Sequence, residues 1–471
     1  MTTAPTRTIT ETVLRLRPGA RITEAALPSD GIRAAVAALG TGDRTTGELA
    51  AAVTALDGEL GLLRWQMFLR RLEGGGLVER AIRVAGEPHA RLRVIGQGPL
   101  PASPALAGAV KLSRFAVAAP ADGGVLSVRA PGSHLAVELA PQAVALLGAL
   151  TSWTAPDGLD FPAPAEVLGL FAAAGLLAPG GPDHDEETAD PRLATWQSED
   201  RWIHARTRGP KTVAGYGGTY RNRDRFAPEP AARPSFPVRR VAPATPDLGD
   251  IARRDPSLTE VLEGRTSVRE HDHDAPITVD QLGELLYRTL RMRSTFTGSD
   301  GQELADRPCP SGGAVHELEV YPLVTHCAGL DAGLWHYATD RHELELVAEP
   351  GPRTQALVSA ARDGSLMATD PQVLLLVTAR FGRVMWKYET VAYPLILKHV
   401  GVLYQTLYLV GTAMGLGVCG LGGGDAGDFA AASGIDPLIE GSVGELVLGS
   451  RPVTLRHSAG VPRGHEEGHR P

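Results

Sequence analysis

The stretch from Trp386 to Gly424 limits what this chain can fold into more than any other. It opens with Trp386-Lys387-Tyr388-Glu389 and continues as an apolar run from Val391 to Leu416. It closes in Gly415, Gly417, Gly420 and the triplet Gly422-Gly423-Gly424. Leu395, Ile396, Leu397, Val400, Val402, Leu403, Leu407, Leu409, Val410 and Met414 leave no polar face, and residues 399–424 contain no Asp, Glu, Lys or Arg. A helix apolar on every side is either the central helix of a large domain or a membrane span. The eight glycines of that segment, with Gln405, Thr406 and Thr412, and the lack of a second such segment favour a buried core helix. It is expected to start near Pro394, whose missing N–H costs nothing in a first turn. The glycine loop that ends it lets the backbone approach a flat or anionic group closely. Lys387 and Tyr388 stand just before the helix, where a site can use them.

The 471 residues are enough for several domains. Apolar content of 43% and charged content of 21% describe globular protein. A net charge of -8 with no basic block argues against nucleic acid as the main partner. Met1 to Pro5 lack a basic region followed by an apolar core, so no signal peptide is expected, and no membrane partner. Cys309, Cys327 and Cys419 are too far apart for a disulfide framework or a zinc knuckle. They read as small buried residues in a reducing cytoplasm. With no HExxH and no Cys/His pairing, no metal site is expected.

Residues 20–95 read as helices followed by a ribbon. Ile32, Val36 and Leu39 share a face, Thr45 to Leu49 starts a helix, Leu62 to Leu72 is another, and Ile82, Val84, Leu92 and Val94 alternate after Gly74-Gly75-Gly76. This resembles a winged helix without a basic stripe, so a role in binding peptide or a partner enzyme is expected rather than DNA binding, with a dimerisation or purely structural role as the alternative. Residues 106–178 repeat the plan loosely, with strands near 125–128 and 135–139 and helices at 141–150 and 163–174. Residues 179–250 combine an acidic run (Asp183, Asp185, Glu186, Glu187, Asp190), a Trp196/Trp202/His204 patch and recurrent proline from Pro228 to Pro246. That composition reads as a linker, partly docked. From residue 251 onward, helices and strands mix without βαβ alternation, so the fold class is α+β with a mixed sheet around the central helix. Thr278 to Gln281 has capping-box spacing, and Val373 to Thr378 reads as a buried strand.

Arg265-x-Ser267-x-Arg269 places two fixed cations and a hydroxyl on one short segment, which suits a phosphate, and Arg451 can add a third cation. A solvated charged turn is the plain alternative. No GxGxxG follows a strand and no Walker A sequence exists, so neither a Rossmann dinucleotide site nor a P-loop is supported. His465 and His469 have helical spacing but lie in a Gly/Pro-rich tail expected to be disordered at 457–471.

"GRTSVR", "RPCPSGGAVHELEVY", "WKYETVAYPLILKHVGVLYQTLYLVGTAMGLGVCGLGGGD" and "ELVLGSRP" occur in that order. Together they resemble the SagB-type azoline dehydrogenases of the nitroreductase-like flavoprotein superfamily, over roughly residues 255–452. The resemblance implies a domain at 251–456 that holds FMN noncovalently in a homodimer. It implies Arg265, Ser267 and Arg269 at the FMN phosphate and ribityl chain, with Arg451 near the phosphate. Ser311, Gly312 and Gly313 would border the isoalloxazine, and Gln405 with Leu421, Gly422, Gly423 and Gly424 would line the flavin. Lys387 and Tyr388 would be the catalytic pair. The implied activity is oxidation of thiazolines or oxazolines in a ribosomally made precursor peptide, alongside a cyclodehydratase partner. In that chemistry a base takes the Cα proton while a hydride leaves the ring CH₂. The residues leave open which of Lys387 and Tyr388 is the base. An NAD(P)H-dependent nitroreductase or quinone reductase, or a flavin-binding scaffold without turnover, are the alternatives.

Overall fold

The computed structural model describes residues 9–208 and 217–452. The tail expected to be disordered, with His465 and His469, lies outside the described residues, as does the Met1–Pro5 segment. The chain divides into two compact units, Met1–Gly217 and Gly218–Pro471.

In the first unit, helix Asp30–Thr41 buries Ile32, Ala35, Val36 and Leu39 on one face. Ser29 accepts the Ile32 N–H at its start. Thr45 and Glu48 form a reciprocal capping box that launches helix Thr46–Gly74. Gly58 interrupts that helix with φ 66°, a left-handed conformation that glycine adopts without steric cost. Strands Val78–Val84 and Glu87–Val94 follow as the expected ribbon. The ribbon does not end there, however. Glu87–Val94 pairs with Leu135–Leu139, and one seven-stranded sheet incorporates strands from Thr10 to Leu139. A single core runs from Leu14 to Leu176. The two winged-helix-like units expected at 1–105 and 106–178 are therefore merged in one sheet and one core. The pairing that joins them is non-local, and nothing in either strand's pattern announces it.

The segment expected as a linker at 179–250 is divided between the units. Its first part packs on the N-terminal unit: Trp202 Nε1 donates to the Phe115 carbonyl (2.8 Å), and the Arg114 and Arg201 guanidiniums lie 4.4 and 4.1 Å from the centre of the Phe115 ring. Its later part is built into the second unit. A proline-rich segment offers carbonyls with few N–H groups to pair with them, and two buried arginines supply the donors. Arg383 donates to Glu229 O (2.6 Å), and Arg380 donates to Pro230 O (2.9 Å) and to the Glu229 carboxylate (3.0 Å). Arg240 and Val241 then add an edge strand to the sheet.

That sheet has the order Arg240–Val241, Glu343–Ala348, Gly333–Ala338, Leu318–Val324, Val373–Arg380, Glu440–Ser450, Leu416–Gly420. Its six pairings are all antiparallel, where a mixed sheet is expected from the sequence. Strand Val373–Arg380 lies inside it, and every residue is buried. Its side chains alternate between two cores: Val373, Leu375, Val377 and Ala379 meet Ile396, Val400, Leu403 and Leu407, while Leu374 and Leu376 meet Leu357, Val358 and Phe429. This period of two on a strand covered on both faces produces the uninterrupted apolar run in the sequence. Each fully buried Leu, Ile or Val here is worth about 1.5–3 kcal/mol relative to exposure.

The central helix spans Ala392–Ala413 and buries Ile396, His399, Val400, Leu403, Leu407 and Gly411. It is not buried all round: Tyr393, Leu397 and Val402 are exposed, as is Gln405. Nor does the helix run straight into a glycine loop. Gly415, at φ 71°, turns the chain into strand Leu416–Gly420, and the loop at 421–424 follows. No described helix is long and apolar enough to cross a membrane.

Candidate active site

The expected site residues fall into two clusters at different heights on the central helix. The first gathers the cations. Helix Leu258–Gly264, opened by a Ser257/Glu260 capping box, ends at Arg265. The Val268 N–H donates to Val418 O (3.0 Å) and fixes the Arg265–Arg269 segment beside strand Leu416–Gly420. Gly417 leaves room for it, since a Cβ there would lie 2.9 Å from Val268 Cγ1. Tyr408 on the central helix is the hub. Its hydroxyl accepts the Gly420 N–H (2.7 Å) and lies 3.0 Å from Ser267 Oγ, and its ring lies 5.3 Å beneath the Arg265 guanidinium. Arg451 donates to Thr266 Oγ1 (2.8 Å), and burial lowers its guanidinium below the usual range. Arg269 is exposed on the same segment, and Gln405 is exposed on the helix one turn before Tyr408.

Beside this cluster, Leu421, Gly422, Gly423 and Gly424 line a cavity of about 360 Å³ with Val400, Tyr404, Ala426 and Ser442 to Glu445. Tyr404 Oη donates to Glu445 O (2.8 Å), and the Leu421 N–H donates to the same carbonyl (2.8 Å), which sets the loop's start. Glu445 is 3% exposed, and one carboxyl oxygen has no hydrogen-bond partner. Burial, reinforced by Asp425 and Asp428 against the Asp425 N–H, pushes its carboxyl up to about 7.

The second cluster holds the expected catalytic pair. Lys387 ends helix Phe381–Lys387, and Tyr388 caps it in extended conformation. Both side chains reach over Gly313: a Cβ on that residue would lie 2.5 Å from Tyr388 Oη and 3.1 Å from Lys387 Nζ. Gly313 has φ 65°. The loop is held from below, where the Gly312 N–H donates to His399 Nε2 (2.7 Å) and His399 Nδ1 is 2.6 Å from Glu317 Oε1. Because Nε2 accepts, the Nδ1 carries the proton and donates to Glu317. Ser311 Oγ accepts the His316 N–H (3.0 Å) and donates to Glu317 (3.4 Å). Burial, then the nearby carboxylates Asp300 and Glu317, raise the Tyr388 phenol.

Ser311–Gly313 and Lys387–Tyr388 thus stand together, as do Arg265, Ser267, Gly420 and Arg451. The two groups sit at different heights: His399 and Tyr408, which contact them, are nine residues apart on one helix, about 14 Å along its axis. Sequence reading missed Tyr404, Tyr408, His399, Glu317 and Glu445. The tyrosines stand at i, i+4 in an otherwise apolar helix, which is a usable signal for a shared polar task. Glu317 lies just before strand Leu318–Val324 and Glu445 in strand Glu440–Ser450, and nothing in the sequence distinguishes them from solvent-facing residues. Cys309, Cys327 and Cys419 are buried free thiols. Among the described residues, no cluster of three or more His, Cys, Asp or Glu side chains is placed to hold a metal ion.

Residues 262–450 match the Nitroreductase family model, and the C-terminal unit carries a nitroreductase-family domain. Proteins of this family bind flavin. A protein named as a nitroreductase in Methanocaldococcus jannaschii is 26% identical over 177 residues, 38% of this chain and 81% of that protein. The trifolitoxin-processing protein TfxB of Rhizobium leguminosarum bv. trifolii is 27% identical over 142 residues, 30% of this chain and only 38% of that protein. Among solved structures, a nitroreductase from Ralstonia eutropha aligns with TM-score 0.36 at 20% identity, covering 48% of this chain and 95% of its own. A chain of the E. coli microcin synthetase McbBCD complex, with a truncated propeptide bound, aligns with TM-score 0.35 at 21% identity, covering 47% and 77%.

A flavin fits what the residues offer. A Cβ built on Gly422 or Gly423 meets no atom within 4 Å, so the free side of the loop is open and a side chain there would fill it. Guanidinium groups, a serine hydroxyl and a threonine gather around Tyr408, which is bonded to Gly420 two residues before that opening, as a phosphorylated ring cofactor requires.

Proposed function

We propose that this protein is an FMN-dependent azoline dehydrogenase that oxidises thiazolines or oxazolines in a ribosomally made peptide to thiazoles or oxazoles. The observation that carries the reading is the convergence of Lys387 and Tyr388 over Gly313 inside a nitroreductase-family domain. Similarity to a trifolitoxin-processing protein supports a place in peptide maturation.

On this reading Arg265, Ser267, Arg269 and Arg451 hold the FMN phosphate and ribityl chain. Gln405 and Leu421 to Gly424 face the ring, and Ser311 to Gly313 border it. FMN, when bound, supplies the two-electron acceptor. Lys387 and Tyr388 orient the azoline and take its Cα proton, while Trp386 and Tyr388 help keep water from the reacting carbon. A homodimer is part of the proposal, as the resemblance to the azoline dehydrogenases implies. The exposed apolar side chains Leu397 and Val402 give the helix a face for a second copy. The N-terminal unit is assigned to binding the precursor peptide or a cyclodehydratase partner.

The test is purification followed by mutation. The protein should be yellow and release about one FMN per chain. Lys387→Ala and Tyr388→Phe should keep the cofactor and the fold yet lose about 10²–10⁴-fold in azoline oxidation. Full activity in both variants would remove the pair from the mechanism.

A further inference from the structure

Lys387 makes contacts that nothing above uses, and they come from two segments outside the motif. One is the turn of the hairpin formed by Ser294–Thr297 and Glu303–Asp306. There Asp300 Oδ1 accepts the Gln302 N–H (3.0 Å), and its Oδ2 lies 3.7 Å from Lys387 Nζ. Both side chains are largely withdrawn from solvent, at 6% and 12% exposure.

The other segment is residues 219–226, which lie ahead of the family match. The N–H groups of Thr219 and Tyr220 both donate to Lys387 O (3.0 and 3.3 Å), and Trp386 Nε1 donates to Phe226 O (2.8 Å). Arg221 pairs with Glu389 at 3.0 Å. The Tyr220 ring stands edge-on to Trp386 at 5.8 Å, and Lys387 Nζ lies 6.0 Å from its centroid. The Tyr220 phenol and the Asp300 carboxylate interact electrostatically, which closes the ring of contacts. Tyr220 also has φ 50°. A non-glycine residue keeps that conformation only where its surroundings over-determine it, and such residues concentrate at working sites.

We propose that Tyr220 and Asp300 are positioning residues for Lys387, so that the segment preceding the nitroreductase-family match is a working part of the site. The inference rests on the reading of Lys387 and Tyr388 as the reactive pair. A lysine stem has four rotatable bonds and is poorly directed on its own. A carboxylate on one side and an aromatic face on the other leave its ammonium one direction, over Gly313, toward Tyr388. The charge states agree with this. Burial opposes ionisation of Asp300, but Tyr220 and the Gln302 N–H, with Lys387 nearby, hold its carboxyl below the usual range. The Tyr220 phenol is pushed up to about 12, first by Asp300 and then by burial, so it stays protonated.

The chain contains four lysines, Lys111, Lys211, Lys387 and Lys398, and Lys398 is exposed on the central helix. Limited acylation of the full-length protein with an amine-reactive ester, read by peptide mass spectrometry, gives the reactivity of Lys387 relative to Lys398. Wild type should label Lys387 the more slowly. Asp300→Asn and Tyr220→Phe should each raise Lys387 labelling several-fold, and Asp300→Glu should restore protection. Tyr220→Phe removes one oxygen and keeps the ring, so it carries the test if Asp300→Asn fails to fold. In single turnover with an azoline peptide, both variants should slow about 10–10²-fold with flavin content unchanged. Unchanged Lys387 labelling in both variants overturns the inference, whatever the activity. Raised labelling with wild-type turnover rates overturns it too, because the contacts then serve only stability. Raised labelling in a protein whose wild type never oxidises an azoline supports the positioning and rejects the proposed function.

Discussion

Replacing Gly313 by alanine tests the geometry of the pair with one methyl group. The new Cβ would start 2.5 Å from Tyr388 Oη and 3.1 Å from Lys387 Nζ. Ordinary contact needs about 3.5 Å, so the phenol must retreat by roughly 1 Å. Both obstructing atoms are the far ends of side chains, and they can give way without unfolding the loop. The backbone adds its own cost, because φ is 65° and a left-handed alanine costs about 1–2 kcal/mol. For a unit of this size that is a fall of about 2–8 °C in Tm. A displacement of 1 Å at reacting groups costs about 10²-fold in rate. The expected result is therefore a folded, flavin-loaded variant, modestly destabilised and about a hundred times slower in single-turnover oxidation of an azoline peptide. The same substitution at Gly423 meets nothing within 4 Å, so it should leave stability intact and weaken flavin binding instead. Gly313→Ala turning over within two-fold of wild type would refute the placement of Lys387 and Tyr388 at the reaction.

Other outcomes follow from the same structure. Arg265→Ala and Arg451→Ala should each weaken FMN binding by about 1.5–3 kcal/mol, or roughly 10- to 150-fold in Kd, measured by fluorescence titration of the apoprotein; unchanged affinity would remove the phosphate from that corner. Arg383→Met should destabilise the C-terminal unit by about 3–5 kcal/mol in urea unfolding, because a fully buried guanidinium donates to Val315 O, Glu229 O and Glu303 O. A loss under 1 kcal/mol would show that water replaces those donors. Glu445 binds its proton more tightly folded than unfolded, so its contribution is fully present below about pH 4.5 and lost as pH rises through about 7. Against Glu445→Gln, wild type should lose about 3 kcal/mol of relative stability across that window. A difference that does not change with pH would place the carboxyl in contact with water. His271, lowered to about 4 mainly by burial, acts with the opposite sign but is present in both proteins and cancels.

What could be read from the sequence depended on whether a signal was local. The helix start at Thr45, the capping box at Thr278 and the buried strand at 373 are short-range patterns, and they stand where the residues put them. The central helix was misjudged in one respect. Its exposed Leu397 and Val402 are as apolar as its buried Ile396 and Leu403, so hydrophobicity alone could not reveal an exposed face. The proline-rich segment looked unable to bury a core, and by itself it cannot. Arg380 and Arg383, about 150 residues away, make its burial possible by pairing its carbonyls. Motif matching singled out residues that the structure places in two groups. It could not supply Asp300 or Tyr220, which act through distance and orientation and carry no pattern of their own.

The most direct test is to ask what reduces the bound flavin. Wild-type protein is mixed anaerobically with an azoline-containing peptide or, separately, with NAD(P)H, and flavin absorbance and peptide mass are followed together. The account predicts that the peptide bleaches the flavin in one turnover and leaves two hydrogens lighter, that oxygen restores the colour, and that NAD(P)H acts slowly or not at all. Rapid bleaching by NAD(P)H, with the azoline peptide leaving the flavin oxidised and its own mass unchanged, would contradict it and make the protein a nitroreductase in activity.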